Sequence, residues 1–255
     1  MLYKLKNKTK NKIVIKISIF VIMLSIGICK IIYDVNANNV IDAREEYQYI
    51  SETMSLDVIA NEEDYAVQRI NEKYKNSNID VYYPATKYEL LNTEMKNIID
   101  IKIAKFKANV KENTEYSLFT NFDMYKYNNY ISFVFHVLED FMGAHPNTYI
   151  FTVNYNIKDN SIVNIDTLIG KSNNILDQIS KYAYKNLSND KKIKEINLPS
   201  MLVNGTKPTK TNFEDFIFTD EGLTIFFEKY KVAPYASGEF VVTIPYIELS
   251  LKITD

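Results

Sequence analysis

Between Tyr88 and Lys111 the apolar residues Leu91, Met95, Ile99, Ile103, Phe106 and Val110 recur at steps of four, four, four, three and four. That period predicts one long helix with a single apolar stripe. Downstream the period changes to two. Ile131, Phe133, Phe135 and Val137 fall on one face of a predicted strand over 130–138, and Tyr149, Phe151, Val153 and Tyr155 on one face of another over 148–157. With a third strand over 118–125, these form the sheet on which the helix stripe is expected to lie. A short strand over 79–84 is expected to end, or to sit at an edge, because of Pro84. Asp159-Asn160-Ser161 predicts a turn before a short extended run over 162–165, and a second helix is predicted over 172–187 with Ser172 as its cap. Residues 191–211 are polar, contain Pro199, Gly205 and Pro208, and read mostly as loop. Alternation returns near the C-terminus, where Leu223, Ile225 and Phe227, then Phe240, Val242, Ile244 and Tyr246, predict an antiparallel hairpin. Its connection, roughly Lys231 to Gly238, exceeds the roughly two to five residues usual in hairpins, a mark of loops that carry function. The fold class is therefore α+β, with antiparallel sheets and packed helices, arranged as two small modules at 78–168 and 169–255.

The N-terminal segment follows a different pattern. Lys4, Lys6, Lys8, Lys10 and Lys12 precede a run from Ile13 to Tyr33 that is apolar except for Lys16, Ser18, Ser25 and Lys30. We read residues 1–12 as a basic cytoplasmic tail, 13–33 as a transmembrane anchor and 34–77 as a polar, helix-compatible juxtamembrane spacer. The run has about the 20 residues that a bilayer requires, with both flanking lysines long enough to snorkel. The alternative is a signal peptide cleaved near Ala37, after Val35-Asn36, which would release the domain. Seven lysines and no acid lie in the first 33 residues, leaving 23 basic against 32 acidic residues beyond them, a net of −9. The lysines are expected to stay inside and the acidic domain to face out, in a single-pass cell-membrane protein. Such an exterior disfavours nucleic acid and favours a basic protein partner through a field that salt weakens.

Candidate chemistry is sparse. The sole cysteine, Cys29, lies inside the apolar run, so no intramolecular disulfide is expected outside the membrane. There are two histidines. His136 sits on an alternating strand as a structural residue, whereas His145 lies between Gly143-Ala144 and Pro146, which hold it at a loop exit. Glu139 and Asp140 are close in sequence, but zinc needs three well-placed ligands, and the chain has no His-x-x-x-His pair. Glu214-Asp215 and Asp220-Glu221 could imitate a glycosidase pair, but carboxylates this close in sequence at loop positions read as solvated turns. No catalytic residue, metal site or cofactor is expected. In the long connection, Pro234 and Gly238 shape the backbone and Tyr235, among Ala233, Ala236 and Ser237, is a candidate aromatic anchor. Pro234, Tyr235, Gly238 and His145 are the candidate ligand-binding residues.

Two of these motifs carry a resemblance. Tyr230, Ala233-Pro234-Tyr235-Ala236, Gly238 and Ile244-Pro245-Tyr246 resemble the C-terminal module of the extracellular domain of RsiV-type anti-sigma factors, membrane proteins that sense lysozyme. Gly143-Ala144-His145-Pro146 with the alternating run that follows resembles a module these proteins share with the N-terminal region of PdaC-type peptidoglycan deacetylases. The similarity spans roughly residues 78–250, with the two motifs about 90 residues apart. It implies a membrane-anchored, extracytoplasmic binding protein without catalysis, whose ligand is lysozyme or another cell-envelope ligand and whose loops clasp it. Those deacetylases carry an Asp-Asp and a His-x-x-x-His motif in a separate catalytic domain, and this chain has neither. The anti-sigma factors hold their sigma factor with a longer cytoplasmic segment than the tail of about 12 residues here, which leaves envelope-stress signalling through a partner or proteolysis as an alternative. A metal-dependent hydrolase using His145 is a further alternative.

Overall fold

In a computed structural model the chain is described over residues 64–172 and 174–251, all within one compact unit. The predicted tail, the anchor at 13–33, most of the spacer and the cleavage site near Ala37 lie outside the described residues. Among the described residues no helix is long and apolar enough to cross a membrane.

The fold is mixed α+β. Strands β1 (Tyr65–Tyr74), β2 (Ser77–Thr86), β3 (Ser117–Tyr127), β4 (Tyr130–Asp140), β5 (Asn147–Asn156) and β6 (Ser161–Ile162) form one sheet in chain order. All neighbours are antiparallel except β2 and β3, which are parallel over Asn78–Val81 and joined through α1 (Glu89–Asn109). Helix α1 buries the predicted stripe of Leu91, Met95, Ile99, Ile103 and Phe106. At roughly 1.5–3 kcal/mol for each large apolar side chain buried, that stripe rather than helix propensity holds the element in place. The N-terminal end of β1 curls back over the sheet, setting Tyr65 edge-on to Phe122 at 5.4 Å and to Phe133 at 6.1 Å.

A second sheet covers the other face. It consists of β7 (Phe216–Phe218), β8 (Leu223–Phe227) and β9 (Phe240–Ile244), all antiparallel. Phe218 stacks on Tyr130 at 4.0 Å and its N–H donates to Ser132 Oγ at 3.1 Å, while Ile217 joins Val134 and Ile150 in a small core. Strand β4 is thus covered on both sides, which is why its residues from Tyr130 to Phe135 are all buried and, Ser132 apart, apolar. Leu223, Ile225 and Phe227 pair with Ile244, Val242 and Phe240, as the alternation predicts. Their buried face packs on α3 (Ile175–Asn189) through Ile175, Ile179, Ala183 and Leu187.

Three local predictions differ from the structure. Residues 65–74, read as helix-compatible spacer, form β1, because the two-residue turn at Lys75 and Asn76, with Lys75 at φ +54°, returns the chain along β2. Pro84 does not end β2, but it does lie at an edge, the second of the two predicted outcomes. It faces Val67 of β1, and lies beyond Val81, where the pairing of β2 with β3 has ended, so its missing N–H removes no bond to β3. Ser172 does not cap the second helix. It ends α2 (Ile165–Lys171), a helix that starts at an Asn164–Thr167 capping box, and Asn174 precedes α3. The boundary drawn between the two modules at 168/169 falls inside α2. The stretch over 191–211 is largely helical, as α4 (Lys191–Ile196) and α5 (Pro199–Gly205). Its stops were in the sequence: Asp190 accepts from Ile193 N at 3.0 Å, Asn197 ends α4 in the left-handed region, and Pro199 opens α5.

Candidate functional site

Two connections meet at one end of the sheets: the β4–β5 loop over 141–146 and the β8–β9 connection over 228–239. Backbone geometry shapes the first. Asp140 Oδ1 accepts from Met142 N at 2.7 Å, and Met142 takes φ +59° with an exposed side chain. The second connection is longer than the sequence prediction. Glu228 Oε1 accepts from Ile150 N at 3.2 Å, fixing its start to β5. At Gly205 a side chain's Cβ would lie 2.1 Å from Lys231 O, so a glycine at the end of α5 is what lets the connection pass that close. Val232 and Ala233 are buried, Pro234 leads into a short 3₁₀ turn over Tyr235–Ser237, and Gly238 leaves it at φ 73°, ψ −155°, a conformation nearly reserved for glycine.

The structure brings His145 and Tyr235 together. Their rings stack with centroids 4.5 Å apart and planes 24° from parallel. His145 Nδ1 lies 3.0 Å from Pro146 O and 2.9 Å from Tyr235 Oη, and the tyrosine hydroxyl donates to Pro146 O at 3.4 Å. A proton on Nδ1 satisfies both ring contacts and leaves Nε2 as the acceptor. Below the tyrosine, Lys229 Nζ lies 4.9 Å from the ring centroid and donates to Thr148 Oγ1 and, at 3.4 Å, to Thr148 O. Burial lowers the Lys229 pKa against the opposing pull of Glu239 and Glu228. Burial, with Tyr230 and Glu239 nearby, raises the Tyr235 hydroxyl. Burial also raises the Glu239 carboxyl, opposed by Lys229 and His136.

Tyr235 is therefore tied down rather than projecting. The outward aromatic is Tyr230, 67% exposed, with its ring 5.5 Å from that of Tyr235. Tyr230 also has φ +68°, a left-handed conformation that is strained for a bulky side chain. It precedes Ala233-Pro234-Tyr235 in the same motif, but nothing in its sequence context marks the strain, because that arises from where the connection must turn.

The acidic candidates have structural partners. Glu139 Oε1 accepts from Tyr149 Oη at 3.0 Å. Asp215 Oδ1 accepts from Thr152 N at 3.1 Å, next to the Glu228 contact on the same strand edge. Burial, with Glu228 and Glu214, raises the Asp215 carboxyl to about 7. The exposed His136 bonds Asp123 through Nε2 at 2.9 Å. Among the described residues no group of three His, Cys, Asp or Glu side chains is arranged to hold a metal ion.

Residues 166–247 match the family described as "Protein of unknown function (DUF3298)". A stretch of 178 residues is 28% identical to the peptidoglycan-N-acetylmuramic acid deacetylase PdaC of Bacillus subtilis (strain 168), in its N-terminal region, covering 67% of this chain and 38% of that protein. Among solved structures, a DUF3298 family protein from Pseudomonas aeruginosa PAO1 superposes with a TM-score of 0.51 at 10% identity, over 72% of this chain and 92% of its own. A DUF3298 family member from Bacteroides fragilis NCTC 9343 gives a TM-score of 0.47 at 14% identity, over 72% and 90% of the two chains. The Pseudomonas protein shares the fold, and the family match, from α2 through β9, contains Lys229, Tyr230 and Tyr235 but not His145, so the site joins a DUF3298 domain to the preceding sheet.

Proposed function

We propose that this chain is a membrane-anchored, extracytoplasmic binding protein that recognises a basic protein such as lysozyme, and that it performs no catalysis. The observation that carries this reading is the aromatic pair at the joined loops: Tyr230 faces outward in a strained conformation, and Tyr235 beside it is locked by His145. Fixed tyrosines supply contact area with little entropy left to lose, and exposed Met142 on the facing loop adds an adaptable apolar contact. The net of −9 beyond residue 33 supplies the long-range attraction for a basic partner. The RsiV-like Ala233-Pro234-Tyr235 motif points to lysozyme as the first partner to try. Deacetylation belongs to the relative, of which this chain spans 38%, and the Asp-Asp and His-x-x-x-His motifs of such enzymes are not in this sequence.

Binding of the purified chain to lysozyme, measured by biolayer interferometry, is expected to weaken with salt. Tyr230→Ala and Tyr235→Ala are each expected to weaken it about tenfold, roughly 1.4 kcal/mol. No binding at low salt would remove lysozyme as partner, and binding of cell-wall glycan in its place would reassign the site to an envelope polymer.

A further inference from the structure

On the α1 side of the β4–β5 hairpin lies a cavity of about 320 Å³, walled by Lys102 and Lys105 of α1, by Phe106 and Phe141, and by Glu139 and Tyr149 of the sheet. Its size falls in the range of about 300–1,000 Å³ typical of small-ligand sites. Its chemistry is uneven. Lys102 Nζ lies over the rings of Tyr149 and Phe151, 4.6 and 4.4 Å from their centroids, yet among the described residues it has no hydrogen-bond acceptor and no ion pair. The surrounding carboxylates are engaged elsewhere: Glu139 accepts from Tyr149 Oη, Asp215 from Thr152 N and Glu228 from Ile150 N. They attract Lys102 from a distance without contacting it, while burial lowers its pKa against their pull. The ammonium is not sealed from solvent, so water or a ligand entering the cavity can supply the acceptor that the fold does not.

We infer that this cavity binds a small ligand bearing a carboxylate, which pairs with Lys102 and the exposed Lys105 while its ring or amide body lies against Phe141 and Tyr149. The face of Phe141 is held in place, with Phe106 at 5.4 Å and Tyr116 edge-on at 5.2 Å. Glu139 lines the same cavity and favours a ligand with an N–H or O–H donor next to its carboxylate. Sugar acids and free peptide C-termini both present that combination. The cavity shares no lining residue with the Tyr230–Tyr235 surface and does not depend on the reading given to it.

Saturation-transfer NMR on the full chain tests the assignment with two matched pairs. N-acetylmuramic acid is set against N-acetylglucosamine, which has the same kind of ring without the carboxylate, and acetyl-D-Ala-D-Ala against its C-terminal amide. At least one acid is expected to bind ten times or more tightly than its neutral counterpart, and the pair that shows the difference identifies the source of the carboxylate. Lys102→Met is expected to abolish that preference while raising the melting temperature, since a methionine fills the space over the two rings without a charge. Equal binding of acids and neutral counterparts, no binding of either acid, or a preference unchanged in Lys102→Met would each overturn the proposal. The matched pairs need no variant, so the test stands even if Lys102→Met fails to fold.

Discussion

Strand β5 has charge on two sides and treats it in opposite ways. Along its edge, Glu228 and Asp215 reach over from the second sheet and accept from the N–H groups of Ile150 and Thr152, where β6 pairs only with Tyr155 and Asn156. On its α1 face, Lys102 lies against Tyr149 and Phe151 without an acceptor. The carboxylates do the work of a missing strand, closing an edge that would otherwise expose unpaired donors. The lysine closes nothing within the fold. Groups of similar burial thus divide into those the backbone requires and one it does not, and the second kind is where a ligand has something to complete.

The largest expected effect comes from removing the edge closure. Asp215→Ala leaves Thr152 N–H without its acceptor and is expected to cost about 1–3 kcal/mol in urea unfolding at pH 5. Asp215→Asn, which keeps an acceptor, should lose much less. If the two variants lose equally, the carboxylate is not closing the edge. The pH dependence sharpens the point. With its folded pKa at about 7, above the value of 3.8 for the free group, Asp215 contributes stability that is fully present below about pH 4 and lost as pH rises through about 7. Stability of the parent should therefore fall between about pH 4 and 7, the slope should flatten in Asp215→Asn, and the cost of Asp215→Ala should shrink over the same range. Melts at closely spaced pH values check this. The smallest effect is expected at the loop. Tyr230→Asn, better suited to φ +68°, should gain about 1 kcal/mol of stability while losing the proposed binding. A loss of stability instead would make Tyr230 an ordinary packing residue.

Long elements with one buried face were legible because burial imposes a period that no local choice can imitate. The stripe from Leu91 to Phe106 and the pairing of Leu223, Ile225 and Phe227 with Ile244, Val242 and Phe240 follow from it. Strand β1 was not legible, since its burial alternates only in part and its place depends on the Lys75–Asn76 turn and on β2. Nor was β7, whose three residues are buried throughout and show no period. The short helices α4 and α5 were marked only by caps, at Asp190, Asn197 and Pro199, which a polar composition hides.

Of the candidate site, His145 and Tyr235 were named from separate motifs, and the backbone roles of Pro234 and Gly238 from residue type. That His145 stacks on Tyr235 across 90 residues, that Tyr230 rather than Tyr235 faces outward, and that Lys102 lacks an acceptor were decided by the packing of one sheet on the other and of α1 on the first. Periodicity reports which side of an element is buried, and residue type reports which backbone angles are allowed. Neither carries the distance between two loops, which is set only when both sheets have found their layers.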